Sequence, residues 1–379
     1  MSIAGSHSPL RSRWRGLSVL VAAVLTLTVA LSGCTRVASA GGNSTQDVLA
    51  KDDIVLVTTL ITASNDYMQN WLKGSQAFAD SVGLPLKVVV ANGDSQQQLS
   101  QLQTVIASGK KVVLTTNPVA SADVPAIAKA VVNSGGYIVT QWNKPDSTKP
   151  ENYGPHYVAH IGYDGITGGK FLADQLFAAM GGQGGIIALH GTLDSTADQQ
   201  RWAGMEQSMA ENPGITLLGV DQANWDQQTA FTKTQALLAK YGDQVKAVWT
   251  GSDSMALGAL AAANAAGRTD IKVVGMDGIT QAIQAVAEGG PYIATWNTDG
   301  YYSGALGLAM AYAAATGELD VATMTPDQRD GTYSQVGIDA SNVNEYLTPP
   351  TGEQIMSEVD EGLFARLTGP ALTSADLHQ

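Results

Sequence analysis

From residue 54 onward the chain alternates between short apolar runs and longer amphipathic segments. The runs cover 54–60, 86–90, 112–116, 137–140, 186–189, 245–250 and 271–275, and segments of 12 to 18 residues with helical periodicity flank them, the first over 67–82. Near-continuous apolar strands are buried on both faces, and strands that alternate with helices build parallel sheets through right-handed crossovers. The pattern predicts an α/β architecture of the doubly wound class. In that class a ligand sits beyond the carboxyl ends of the strands. Those ends are rich in polar and aromatic groups: 64–67, Asn117 with Pro118, Gln141 to Asn143, Asp194 with Ser195, Asn224 with Trp225, Ser252 with Asp253, Asp277, and 296–298.

A chain of 379 residues exceeds what one hydrophobic core serves, and 44% apolar content fills two. Two lobes are therefore expected. The Pro- and Gly-containing loop around 153–163 gives way to a fresh strand and helix, which puts a first crossing between lobes near 160. Crossings near 298 and 336 complete a three-segment hinge, an arrangement that permits closure without shear of either core. The first lobe is expected to hold 51–160 and 299–335, and the second 161–298 and 336–370. A helix over 353–367 is expected on one lobe, with 371–379 as a tail.

The ends of the chain read differently. Arg11, Arg13 and Arg15 precede an apolar run over 17–31, the layout of a secretory signal and too short for a permanent membrane helix. The run ends at Leu31, Ser32, Gly33 and Cys34, which resembles the bacterial lipobox, so Cys34 is expected to carry a lipid after residues 1–33 are removed. Cys34 is the sole cysteine, which excludes an internal disulfide and favours an anchor. Residues 34–50 offer little to bury and suit a flexible tether. Loss of 1–33 takes away three arginines and no acid, moving the formal charge from -13 to -16. So acidic a domain opposes nucleic acid, whose affinity for proteins comes mainly from Lys and Arg.

The most specific motif is AVWTGSDSMALGALAAANAAG at 247–267, followed by VVGMDG at 273–278. It is similar to the periplasmic ribose-binding family, and the similarity extends through KDDIVLV at 51–57, TTNP at 115–118, HIGYDGITGGK at 160–170, QQRWAGM at 199–205 and ANWDQQTA at 223–230. The resemblance implies a type I periplasmic-binding fold and a monomeric, non-catalytic receptor that needs no cofactor. It further implies a monosaccharide or small sugar alcohol (a pentose, tetritol or pentitol) held in the cleft and delivered to an ABC permease. With the lipid on Cys34, the receptor would sit on the extracytoplasmic face of the cell membrane.

Position by position, the resemblance implies an asparagine and a stacking aromatic at Asn65 and Tyr67, and an opposing aromatic at Trp225. It implies a forked donor at Arg201, an acceptor at Asp277, and polar contacts at Ser252, Asn297 and Thr298, while Asn117 and Asn143 are site candidates as polar residues at strand ends. Such groups suit a polyol, whose hydroxyls want planar amides, carboxylates and guanidinium and whose C–H surfaces want aromatic faces. Gln141 and Trp142 stand where the family places an Asp-Arg pair, and that departure points away from ribose itself.

Each residue also has a plainer reading. Asp277 would cap a helix from Ile279, Arg201 would pair with Glu206 or Asp198, Tyr67 and Trp225 would be core aromatics, and Ser252 would be a helix cap. Trp296 stands between cleft and core. GGK at 168–170 lacks the P-loop pattern and reads as helix-start packing. His7, His156, His160, His190 and His378 show no metal spacing, and no GxSxG is present. A receptor of the same fold feeding a sensor kinase or chemoreceptor has the same kind of site. A secreted glycosidase and a repressor effector domain are the remaining rivals.

Overall fold

The computed structural model describes residues 46–378. The signal segment, Cys34 and most of the expected tether lie outside the described residues. Among the described residues no helix is long and apolar enough to cross a membrane.

The chain runs β1 (Ile54–Leu60), α1 (Asp66–Val82), β2 (Leu86–Val90), α2 (Ser95–Ile106), β3 (Lys111–Thr116), α3 (Val124–Asn133), β4 (Tyr137–Gln141) and β5 (Tyr157–Tyr163). It crosses at Asp164 into α4 (Gly165–Ala179), β6 (Gly184–His190), α5 (Thr196–Glu211), β7 (Ile215–Gln222) and α6 (Gln227–Tyr241). The same lobe continues with β8 (Val245–Thr250), α7 (Asp253–Ala265), β9 (Lys272–Asp277), α8 (Thr280–Glu288) and β10 (Tyr292–Asn297). A second crossing leads to α9 (Gly300–Thr316), α10 (Pro326–Arg329) and β11 (Asp330–Tyr333), and a third to β12 (Val336–Ile338). The chain closes with α11 (Gly352–Asp360) and β13 (Leu367–Pro370).

Two sheets result, ordered β13-β11-β5-β4-β3-β1-β2 and β12-β10-β9-β8-β6-β7. All pairings are parallel except the two edges, β11 with β13 and β10 with β12. Strand β1 is buried along its whole length, as expected of a strand covered by helices on both faces. Valines and leucines of β1 and β3 pack under α2 and α3 on one side, while α1 and α9 cover the other. Helices begin directly at strand ends, where short polar side chains cap them: Asn65 for α1, Asp164 for α4, Ser195 for α5 and Ser252 for α7.

Four boundaries differ from expectation. Gln46, inside the expected tether, is already part of the fold: its side-chain amide donates to Ala314 O and Leu319 O, both at 2.7 Å, and accepts from Val321 N. Those groups lie at and just beyond the carboxyl end of α9, where orphan carbonyls need partners. Residues 336–370 do not all join the second lobe. Only β12 does; α11 then packs on α1 and α9, and β13 pairs with β11, so the chain crosses a fourth time, over 346–351. Helix α11 is also shorter than 353–367, ending before a turn through Gly362 at φ 140°. Finally, 371–378 is no free tail. Ser374 N donates to Asp146 Oδ2 in the first lobe at 2.9 Å, and the last turn lies against α5 in the second.

Candidate functional site

The strand ends of both lobes meet around one cavity that residues of both lobes line. The first lobe lines it with Ile61, Thr62, Asn65, Tyr67 and Met68 after β1, Asn117 after β3, and Trp142 and Asn143 after β4. The second contributes Ser195, Ala197, Arg201, Trp225 and Asp277. Eight of the sequence candidates are thus brought together: Asn65, Tyr67, Asn117, Trp142, Asn143, Arg201, Trp225 and Asp277.

The other four are not. Gln141 is fully buried, donating to Thr115 Oγ1 and Ser303 O at 3.1 and 2.9 Å and accepting from Tyr163 OH at 2.7 Å. The reason is local: Asn143 N donates to Gln141 O at 2.8 Å, closing a three-residue turn with Trp142 at its centre at φ 68°. That turn keeps Gln141 under the sheet and swings Trp142 into the cleft. Ser252 serves as the cap of α7, accepting from Met255 N. Asn297 accepts from Asp299 N, and Thr298 bonds back to Asp277 O. Trp296 is core, donating to Gln335 Oε1 and packing on Phe171.

Arg201 is 4% exposed and sits between two indoles, its guanidinium carbon 4.6 Å from the Trp142 ring centre and 5.2 Å from that of Trp225. It donates to Gly251 O, which fixes the head of the side chain. Its other face of charge is Asp277 Oδ1 at 3.7 Å, too long for a hydrogen bond. Neither Glu206 nor Asp198 pairs with it; Asp198 instead accepts from Gly191 N and bonds His190 Nδ1. Nor does Asp277 cap α8, since Ile279 N donates to Asp253 Oδ2. The plainer readings of Arg201 and Asp277 therefore do not hold.

Burial pushes the Asp277 carboxyl well above the ordinary carboxylate value; Arg201 pulls against that rise and Asp253 adds to it. Burial likewise lowers Arg201, with Asp277 the strongest opposing charge. Both partners are thus desolvated more than they are compensated. Nine buried side-chain atoms lack partners among the described residues, and two of them, Arg201 Nε and Asn117 Oδ1, belong to residues that line the cavity. Buried polar groups are nearly always paired, so unfinished ones at the wall of a cavity mark places where a ligand completes the set.

The aromatic walls are held by close packing. Trp142 stacks on Tyr163 at 3.8 Å and 12°, and its Nε1 donates to Tyr67 OH at 2.8 Å. Trp225 lies on Gly191, where a Cβ would fall 2.1 Å from the indole. Trp142, Trp225 and Asp277 all have positive φ (68°, 62° and 132°), a conformation that bulky residues rarely adopt and that gathers at functional sites. The sequence reading missed Ile61, Thr62, Met68 and Ala197; Ser195 was on a strand end but was not singled out. The signal for the others was their place in the loops and first helical turns after β1 and β6. Among the described residues no group of three His, Cys, Asp or Glu side chains is placed to hold a metal.

The two-lobed fold and the cleft between its strand ends define a solute receptor of the type I periplasmic-binding architecture. Residues 56–319 match the periplasmic binding protein domain, and the chain belongs to that family. Among relatives, it is 28% identical over 333 residues to the xylitol-binding protein of Mycolicibacterium smegmatis, covering 87% of this chain and 89% of that one. It is 32% identical over 243 residues to the ribose import binding protein of Escherichia coli, covering 64% and 78%. A twin-arginine translocation pathway signal protein from Burkholderia phytofirmans superimposes with a TM-score of 0.80 at 34% identity, covering 84% of this chain and 98% of that one.

Proposed function

We propose that the protein is the extracytoplasmic solute receptor of an ABC importer and that it binds a small sugar or sugar alcohol of four or five carbons between its lobes. The observation that carries this reading is the unfinished polar set of Arg201, Asp277 and Asn117 inside a cage of Trp142, Trp225 and Tyr67. A polyol supplies what is lacking: hydroxyls that donate to the Asp277 carboxylate and Asn117 Oδ1 and accept from Arg201 Nε. Tyr163 covers one face of Trp142, and the Arg201 guanidinium lies over Trp142 and Trp225. Little free aromatic face remains for a hexopyranose ring, whereas a short chain lies along the edges. The names of the xylitol and ribose relatives agree with this solute class.

In operation, open lobes admit the solute, which bridges the cleft and favours the closed form by its differential affinity. The closed form docks on the permease as a monomer. Lipid on Cys34 would hold the receptor near that permease and raise its effective concentration there. Calorimetry and thermal shift across tetritols, pentitols, pentoses and hexoses test the solute class. Xylitol, erythritol or a pentose should raise the melting temperature at concentrations where hexoses do not; a panel with no effect, or with hexoses alone effective, would overturn it. For the anchor, Cys34→Ala should release the protein from membranes into the soluble fraction.

A further inference from the structure

Helix α5 carries Arg201, and its first turn is completed by the other lobe. Its cap, Ser195, takes only one of the orphan amides, Asp198 N at 3.4 Å. Thr196 N donates to Ser121 Oγ at 3.1 Å, and Ala197 N to Asn143 Oδ1 at 3.4 Å. Both acceptors belong to the first lobe, Ser121 in the loop after β3 and Asn143 after β4. More bonds cross at the same place. Ser121 Oγ and Thr196 Oγ1 lie 2.8 Å apart, Ser121 N donates to Asp194 O at 3.1 Å, Ser195 Oγ donates to Asn143 Oδ1 at 2.9 Å, and Thr196 Oγ1 donates to Lys144 O. The second lobe thus starts its site-bearing helix with amides whose partners exist only when the lobes meet.

We propose that Ser121 is a positioning residue for solute binding: by capping α5 across the cleft it latches the lobes and holds Arg201, one and a half turns further along, against the solute. This rests on the reading that the solute occupies the inter-lobe cavity. Ser121 does not line that cavity, but Asn143, which does, shares the latch with it. When the lobes part, water replaces both acceptors, so each latch bond contributes to closure only the surplus of a protein partner over water. A lost cap of this kind should therefore shorten the life of the closed complex, not slow its formation.

The test uses the full chain with Cys34→Ser and spin labels at Lys87→Cys and Asp243→Cys, one exposed position per lobe. Ser121→Ala should shift the inter-label distances toward the open form without any ligand, and should raise the xylitol dissociation rate roughly 5- to 30-fold, the size of a lost helix cap. The association rate should stay within about twofold, since changes within one interface fall mainly on dissociation. Ser121→Thr, which keeps the hydroxyl, should restore both. Unchanged distances and an unchanged dissociation rate in a Ser121→Ala protein with a normal melting curve would overturn the latch. If the parent protein does not bind xylitol, the solute reading loses support, but the ligand-free distances still decide the latch.

Discussion

Arg201 and Asp277 are desolvated together yet stop short of each other, and that gap sets what their removal does. If solute hydroxyls fill it, Arg201→Ala or Asp277→Ala should weaken binding by roughly 2 to 4 kcal/mol, about 30- to 1,000-fold, because each leaves buried partners unpaired. Folding should survive, as calorimetry beside melting curves without ligand would show. A second residue-scale effect involves a histidine away from the cleft. His160 on β5 is buried and bonds Thr140 Oγ1 through Nδ1; burial, then the positive Lys144, holds its pKa at about 3. Unfolded, it titrates near its ordinary value of about 6.5. Below that pH the unfolded chain binds the extra proton, so the stability contributed by neutral His160 is complete above about 6.5 and is lost as pH falls toward 3. His160→Asn should flatten urea stability measured between pH 6.5 and 4, even if it is less stable at neutral pH. An equally steep loss in the variant would assign acid sensitivity to other groups.

At the level of elements, α5 is placed by its contact with α4. A Cβ on Gly204 would lie 2.0 Å from Ile166 O, and one on Gly169 2.0 Å from Arg201 O, so the two helices touch backbone to backbone directly beside the site. Gly204→Ala should improve helix propensity by about 1 kcal/mol and still lower the melting temperature by a few °C, since overpacking costs about 1 to 3 kcal/mol. It should also reduce solute affinity by moving Arg201, whereas a melting temperature at or above that of the parent protein would show that α4 yields freely. The same contact accounts for the GGK run, which packs at the start of α4. Elements of this size were legible because a strand buried on both faces is a long apolar run and its helix a long amphipathic one. The short elements were not. β11, β12 and β13 have four, three and four residues, too few for a period, and they are fixed by partners distant in sequence. Site legibility broke at a comparable point: residue type at a strand end marked Asp277 and Trp225, and the QQRWAGM motif marked Arg201 on α5, but no periodicity foretells that Trp142 takes a positive φ and turns Gln141 inward.

For the molecule as a whole, the last crossing makes the C-terminal segment part of the hinge. Arg366 NH1 bonds Asp299 Oδ2 at 2.9 Å and Glu358 Oε2 at 2.8 Å, and its guanidinium lies 5.2 and 4.9 Å from the rings of Tyr302 and Tyr333. Its own carbonyl accepts from Ser334 N at 2.8 Å. Asp299 follows the second crossing, at φ 48°, and Ser334 lies on the third, so one residue grips two hinge segments. Lobe closure demands that these segments absorb the change in backbone angles, and a grip on both limits how far they turn. Replacing Arg366 by Ala removes the charged partner of Asp299 and the bridge to α11 but leaves the Ser334 backbone bond. The change should cost roughly 1.5 to 3 kcal/mol of stability, the range for hydrogen bonds to charged groups. Amide exchange should speed up at 298–303 and 333–336 while β1, β3 and β8 keep their protection, since the lobe cores are untouched. The decisive measurement is exchange followed segment by segment in the ligand-free variant. Acceleration spread evenly over both lobes would mean that Arg366 supports global folding, and no acceleration at the hinge would remove it from control of the crossing.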